Sequence, residues 1–96
     1  MKNPDPKMIE RGINKDDLIV ITGAGGFIAG ALTRYFHDLG YTRIRAIDKK
    51  PLYEWYQHVP GVESLCLDVS EKENAVRAVE GAVEVYNLAG QEYVSV

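Results

Sequence analysis

Two features of the chain carry residue types at a spacing that suits chemistry. One is the run Thr22-Gly23-Ala24-Gly25-Gly26-Phe27-Ile28-Ala29; the other is the carboxylate of Asp48, roughly twenty residues further on. Glycine leaves main-chain N–H groups bare and reaches positive φ angles, so successive amides can converge on one anion such as a diphosphate. A helix opening directly behind the bend adds free first-turn N–H groups and roughly half a positive charge. An acid at the tip of the next strand is placed to accept the hydroxyl hydrogens of an adenosine ribose. Gly23, Gly25, Gly26, Phe27, Ile28 and Asp48 are therefore the first candidate ligand-binding residues, with Lys49 beside them.

These residues need elements that hold them at one edge of a sheet. The apolar, β-branched residues 18–22 predict a first strand, and apolar positions recurring through Ile28, Leu32, Tyr35 or Phe36, and Leu39 predict a helix over 26–39. Gly40 suits the left-handed residue that ends such a helix. Residues 43–47 form a second strand ending in Asp48. A short second helix is expected over 51–57, opened by Pro51, before Val59-Pro60-Gly61 turns the chain. A third strand over 62–67 runs into Asp68 and Val69, and Ser70 with Glu73 reads as a capping box for a third helix carrying Ala75, Val76 and Val79 as far as Gly81. The fourth strand begins at Val83 and leaves through Asn87-Leu88-Ala89-Gly90, whose small residues let a ligand approach the main chain. The alternation of strand and helix predicts an α/β fold: a Rossmann-type parallel sheet forming the first half of a doubly wound domain, with strand order 3-2-1-4 and right-handed crossovers. Residues 1–17, with Pro4 and Pro6, are expected to be a mobile leader, and residues 18–96 the half-domain. Strand four would stand at an open edge, which invites a homodimer or a partner chain.

Other residues of chemical interest read as scaffold. His37 and Asp38 are adjacent on a helix and point about a hundred degrees apart, as befits a solvated helix end. His58 lacks neighbouring ligands, so no metal site is expected. Tyr53, Trp55 and Tyr56 could stack on adenine, but helix-on-sheet packing is their ordinary use. Cys66 is the single cysteine; within an apolar strand it is expected to be a buried, inert thiol, which fits a reducing, cytoplasmic setting. The formal charge of −3, with basic residues scattered along the chain, argues against nucleic acid as a partner. No apolar run is long enough to cross a bilayer.

The glycine run with Asp48, Leu67-Asp68-Val69 and Asn87-Leu88-Ala89-Gly90 resembles the extended short-chain dehydrogenase/reductases, a family that includes NAD-dependent nucleotide-sugar epimerases and dehydratases. Within that family Gly25-Gly26-Phe27-Ile28-Ala29 followed later by Tyr86-Asn87-Leu88-Ala89 is most similar to the GDP-mannose 3,5-epimerase branch. Ala29 stands where most members carry a third glycine, a mild departure at a packing position. The resemblance implies that Asp68 bonds the adenine amino group, that Val69 packs on the ring, and that Leu88, Ala89 and Gly90 pass close to the pyrophosphate and the nicotinamide ribose. From the residues alone, Asp68 is equally an acid near a helix start. NAD is the expected cofactor. The extra phosphate of NADP would meet the charge of Asp48 at a cost on the order of 1 kcal/mol, which Lys49 and Lys50 only soften.

In that family a Tyr-x-x-x-Lys pair exchanges a proton with the substrate hydroxyl, the lysine lowering the tyrosine pKa. None of the six tyrosines here is followed four residues later by lysine. Tyr41 and Arg45 come closest, but on a strand they lie about 13 Å apart. The expectation is therefore a cofactor-binding portion of a nucleotide-sugar epimerase or dehydratase that is inactive by itself. The alternative is a non-enzymatic nucleotide-binding or protein-interaction module.

Overall fold

The computed structural model describes residues 13–89. A β-branched run without polar interruption suits a strand covered on both faces, and Ile19-Val20-Ile21-Thr22 forms β1 (Ile19–Thr22), buried at every position. Three further strands lie parallel to it: β2 (Ile44–Asp48), β3 (Glu63–Cys66) and β4 (Glu84–Asn87), in the order β3-β2-β1-β4. Ile19 pairs with Ile44 on one side and with Glu84 on the other. Arg45 pairs with Glu63. The predicted α/β half-fold and its strand order are thus observed, and among the described residues β4 has a neighbouring strand on one side only.

Alternation along β1 divides the core between two helices. Ile19 and Ile21 cluster with Ala29 and Phe36 of α1 (Phe27–Asp38), while Leu18 and Val20 cluster with Ala78 of α2 (Lys72–Val79) and with Ile47. Gly40 adopts φ +99° and ends α1, as expected. Residues 13–17 belong to the packed structure: the Lys15 carbonyl accepts bonds from the N–H (2.9 Å) and hydroxyl (3.2 Å) of Thr42, and the Lys15 ammonium lies 4.3 Å from the centre of the Tyr41 ring.

Three expectations are corrected. The helix predicted over 51–57 is a single 3-10 turn, Leu52–Glu54, after which Trp55 turns extended with ψ 146°. One more turn of a short helix is worth little in water, whereas the extended geometry buries the indole in the core and lets its Nε1–H reach the Lys50 carbonyl at 3.0 Å. Ser70 does not cap α2. Glu71 stands at the N-cap without a side-chain bond; Ser70 N–H (3.0 Å) and hydroxyl (2.7 Å) both donate to Asp68 Oδ1 and Glu71 N–H closes on the Asp68 carbonyl at 3.2 Å, a turn that carries the helix start one residue past Ser70. Cys66 is exposed rather than buried, since β3 is an edge strand and its last residue emerges from cover; its thiol lies 3.4 Å from the Lys49 carbonyl.

Arg45 has a structural duty that spacing did not suggest. Its Nε meets Glu63 at 2.9 Å, and its Nη1 donates to the carbonyls of Ala78 (2.9 Å) and Glu80 (3.3 Å) at the end of α2. One guanidinium thereby ties β2 to β3 and satisfies carbonyls that a helix end leaves without partners.

Candidate functional site

A parallel sheet gathers the carboxyl ends of its strands along one edge. The bend after β1, Asp48 at the end of β2, Asp68 after β3 and Asn87 at the end of β4 are therefore brought together although they are distant in sequence.

Gly23 makes the bend possible in two ways. Its φ is +73°, and a Cβ placed on it would lie 2.7 Å from main-chain atoms of Leu88 and Ala89. The bend is pinned on both sides: Ala24 N–H donates to the Ile47 carbonyl at 2.9 Å, Leu88 N–H donates to the Thr22 carbonyl at 3.2 Å, and the Thr22 hydroxyl donates to Asn87 Oδ1. Gly26 N–H closes the turn on the Gly23 carbonyl at 3.0 Å. Gly26 is also the N-cap of α1 and has no side chain to occupy the first N–H groups, those of Phe27 and Ile28.

Asp48 is held by main-chain donors. Gly25 N–H meets its Oδ2 and Lys50 N–H meets its Oδ1, each at 2.9 Å. A carboxylate oxygen has two acceptor sites, so each retains capacity for a hydroxyl.

Asp68 is arranged in the same way on the far wall. The Ser70 hydroxyl (2.7 Å) and N–H (3.0 Å) both donate to Oδ1, leaving Oδ2 available, and the Asp68 main-chain carbonyl accepts from the Asn74 side chain at 3.1 Å. The hydroxyl bond from Ser70 first and then its N–H bond hold the Asp68 carboxyl below the usual carboxylate range against the opposing effect of desolvation, with a lesser contribution from the charge of Lys49. It is an anion at any pH near neutrality.

Two clefts flank the bend. The larger, about 350 Å³, is bordered by Gly23, Asp48, Lys49, Asp68, Val69 and Ala89 together with Ile47, Leu67, Ser70 and Asn87. The smaller, about 270 Å³, is bordered by Gly23, Gly26, Phe27, Ile28 and Leu88 together with Ala29, Lys50 and Tyr56, whose ring meets Phe27 edge-on at 5.6 Å. Gly23 is common to both. Gly25 borders neither; it is turned inward against Trp55. Gly90 lies outside the described residues. Asp48, the bend and the two apolar clefts make a surface suited to a flat heterocycle, a polyhydroxylated ring and an anionic bridge in succession.

The remaining chemical residues stand elsewhere. His37 is at the far end of α1, roughly 17 Å of helix from the bend, and its Nδ1 is 3.6 Å from Asp38 Oδ1. The His58 ring is stacked on the indole of Trp55, with Nε2 2.6 Å from the Leu52 carbonyl. Trp55 is core, whereas Tyr53 and Tyr56 are exposed. Among the described residues no three potential metal ligands stand together, and no helix is long and apolar enough to cross a membrane.

Sequence reasoning missed the contributions of Thr22, Asn87, Ser70 and Trp55. Ser70 could have been found, since an acid two residues before a serine is the spacing of an Asx turn. The Thr22–Asn87 bridge joins residues from two strands and has no local signature.

A sequence profile described as the NAD dependent epimerase/dehydratase family matches residues 19–96. No curated protein matches the chain.

Proposed function

The chain belongs to the NAD dependent epimerase/dehydratase family, and from that premise we propose that its glycine bend and Asp48 hold the adenosine diphosphate part of NAD for chemistry on a nucleotide sugar. The observation that carries the proposal is the bond from Gly25 N–H to Asp48 Oδ2, with Lys50 N–H on the other oxygen. It sets the carboxylate beside the bend with acceptor capacity to spare, at the mouth of the larger cleft.

In this reading Asp48 accepts ribose hydroxyls, and the uncapped N–H groups of Phe27 and Ile28 face the diphosphate. Asp68 Oδ2 accepts the adenine amino hydrogen while Val69 and Leu67 wall the ring. Ala89 and Leu88, followed by Gly90 outside the described residues, border the path toward the nicotinamide ribose. When bound, the cofactor supplies hydride exchange with the sugar; these residues bind and orient, and the chain has no Tyr-x-x-x-Lys pair to move the proton. The nucleotide-sugar assignment is supported by the likeness of the bend and the Asn87-Leu88-Ala89 exit to the GDP-mannose 3,5-epimerase branch.

Calorimetric titration of the full chain tests the proposal. NAD should bind, and Asp48→Asn, which keeps shape but removes charge, should weaken it about tenfold, the difference between charge-assisted and neutral hydrogen bonds. NADP should bind more weakly than NAD, because its extra phosphate meets the same carboxylate. No binding of NAD, or an unchanged affinity in the variant, overturns it.

A second reading rests on the exposed edge. Val83 just before β4, Val85 within it, and Val76 and Val79 on α2 are exposed, and a strand that is unpaired on one side among the described residues and flanked by apolar side chains favours pairing with another chain, such as a second copy. A sedimentation mass equal to the monomer at high micromolar concentration overturns that reading.

A further inference from the structure

We propose that Trp55 is a positioning residue: it fastens the glycine bend to Asp48 and so presets the distance between the diphosphate and ribose contacts, an inference that rests on the dinucleotide reading above. The indole lies in a strap following β2 and is only 7% exposed. A Cβ on Gly25 would come within 2.8 Å of indole Cδ1 and 3.0 Å of Asp48 Oδ2, so the bend sits flush against ring and carboxylate together. Both polar groups of Gly25 are committed in that position. Its N–H goes to Asp48 at 2.9 Å, and its carbonyl accepts the N–H of Tyr56, the residue after the indole, at 3.1 Å.

The strap is anchored at the acid as well. Indole Nε1–H donates to the Lys50 carbonyl at 3.0 Å, and the N–H of the same residue donates to Asp48 Oδ1 at 2.9 Å. On the outer side His58 stacks on the indole, the ring planes 7° apart, and its Nε2–H closes the strap on the Leu52 carbonyl at 2.6 Å. A carbonyl only accepts, so Nε2 is the protonated nitrogen. Gly25 therefore cannot leave Asp48 without breaking a hydrogen bond to the strap and opening a gap under the indole. A ligand that touches the bend and the acid at once gains from this pre-set spacing, since the ordering cost is met before it arrives.

The test compares ligands and amide exchange in the full chain. For Trp55→Ala, affinity for ADP-ribose, which spans bend and acid, should fall about tenfold, while affinity for adenosine, which does not reach the bend, changes less than threefold. Trp55→Phe, which keeps an aromatic slab without the Nε1 donor, should restore most of the loss. A purely structural effect, acting through the folded fraction, would lower both affinities equally; that result, or no change for ADP-ribose, overturns the proposal. Amide exchange without ligand supplies the independent arm: the Gly25 and Tyr56 amides should exchange at least tenfold faster in Trp55→Ala, with those of β1 unchanged. If the unaltered protein binds no ADP-ribose, the dinucleotide reading fails by itself. The exchange arm then decides whether Trp55 holds the bend, and unchanged exchange at Gly25 overturns that too.

Discussion

Replacing Gly23 by alanine should destabilise the fold through two separable effects. At φ +73° an L-residue costs about 1–2 kcal/mol more than glycine. The added methyl would also lie 2.7 Å from the Leu88 carbonyl carbon and oxygen and from the Ala89 nitrogen, main-chain atoms that cannot rotate aside. Overpacking of this kind costs about 1–3 kcal/mol more, so the expected loss is about 2–5 kcal/mol. Gly81 provides the control. Its φ of +82° carries a similar conformational cost, but a methyl there would meet only Leu18 Cδ2 at 3.8 Å, an ordinary contact. Gly81→Ala should therefore lose about 1–2 kcal/mol, and the difference between the variants isolates the close approach of the bend to the exit of β4. Urea unfolding followed by circular dichroism measures both, with m-values compared to confirm a common unfolded state. A Gly23→Ala variant no less stable than Gly81→Ala would refute the argument that these two main-chain segments are in contact.

Three further expectations follow from the same geometry. The Asp68 carboxyl titrates below the ordinary aspartate range, so its bonds with Ser70 contribute stability that is complete above the unfolded carboxyl's pKa and fades as pH falls through the lower folded one; in Ser70→Ala, carbon-detected NMR should find this pKa moved upward, and an unmoved pKa would refute the assigned cause. Arg45→Met should cost about 1–3 kcal/mol, because it leaves the carbonyls at the end of α2 without their donor, whereas Glu63→Gln, altering an exposed partner, should cost about 1 kcal/mol or less; urea melts of equal midpoint would contradict this. Cys66 should react completely with a thiol-specific disulfide reagent in the native state, and protection of the thiol until urea is added would show that it is buried after all.

The fold was legible because its determinants are local. A β-branched run wants a strand, a glycine wants the positive φ, and apolar side chains at helical spacing want one covered face; each preference is satisfied within a few residues, and the handedness of parallel crossovers then leaves few strand orders. The same reasoning placed Asp48 at a strand tip near the bend. It failed where two local preferences competed. Residues 51–57 favoured a helix until the sheet offered Trp55 a pocket against Gly25, and Ser70 favoured a helix cap until the turn after Asp68 moved the helix start to Glu71.

By itself, then, the amino-acid order determined the alternation of strands and helices, the need for a residue without a side chain at Gly23, and the acid that follows β2. Only the assembled structure decided which groups those residues meet: Gly25 with the indole and Asp48, Thr22 with Asn87, Arg45 with the carbonyls closing α2. The physical reason is range. Backbone preference acts through neighbouring dihedrals, while a hydrogen bond or a packing contact acts across space between segments whose approach is fixed only when the sheet forms.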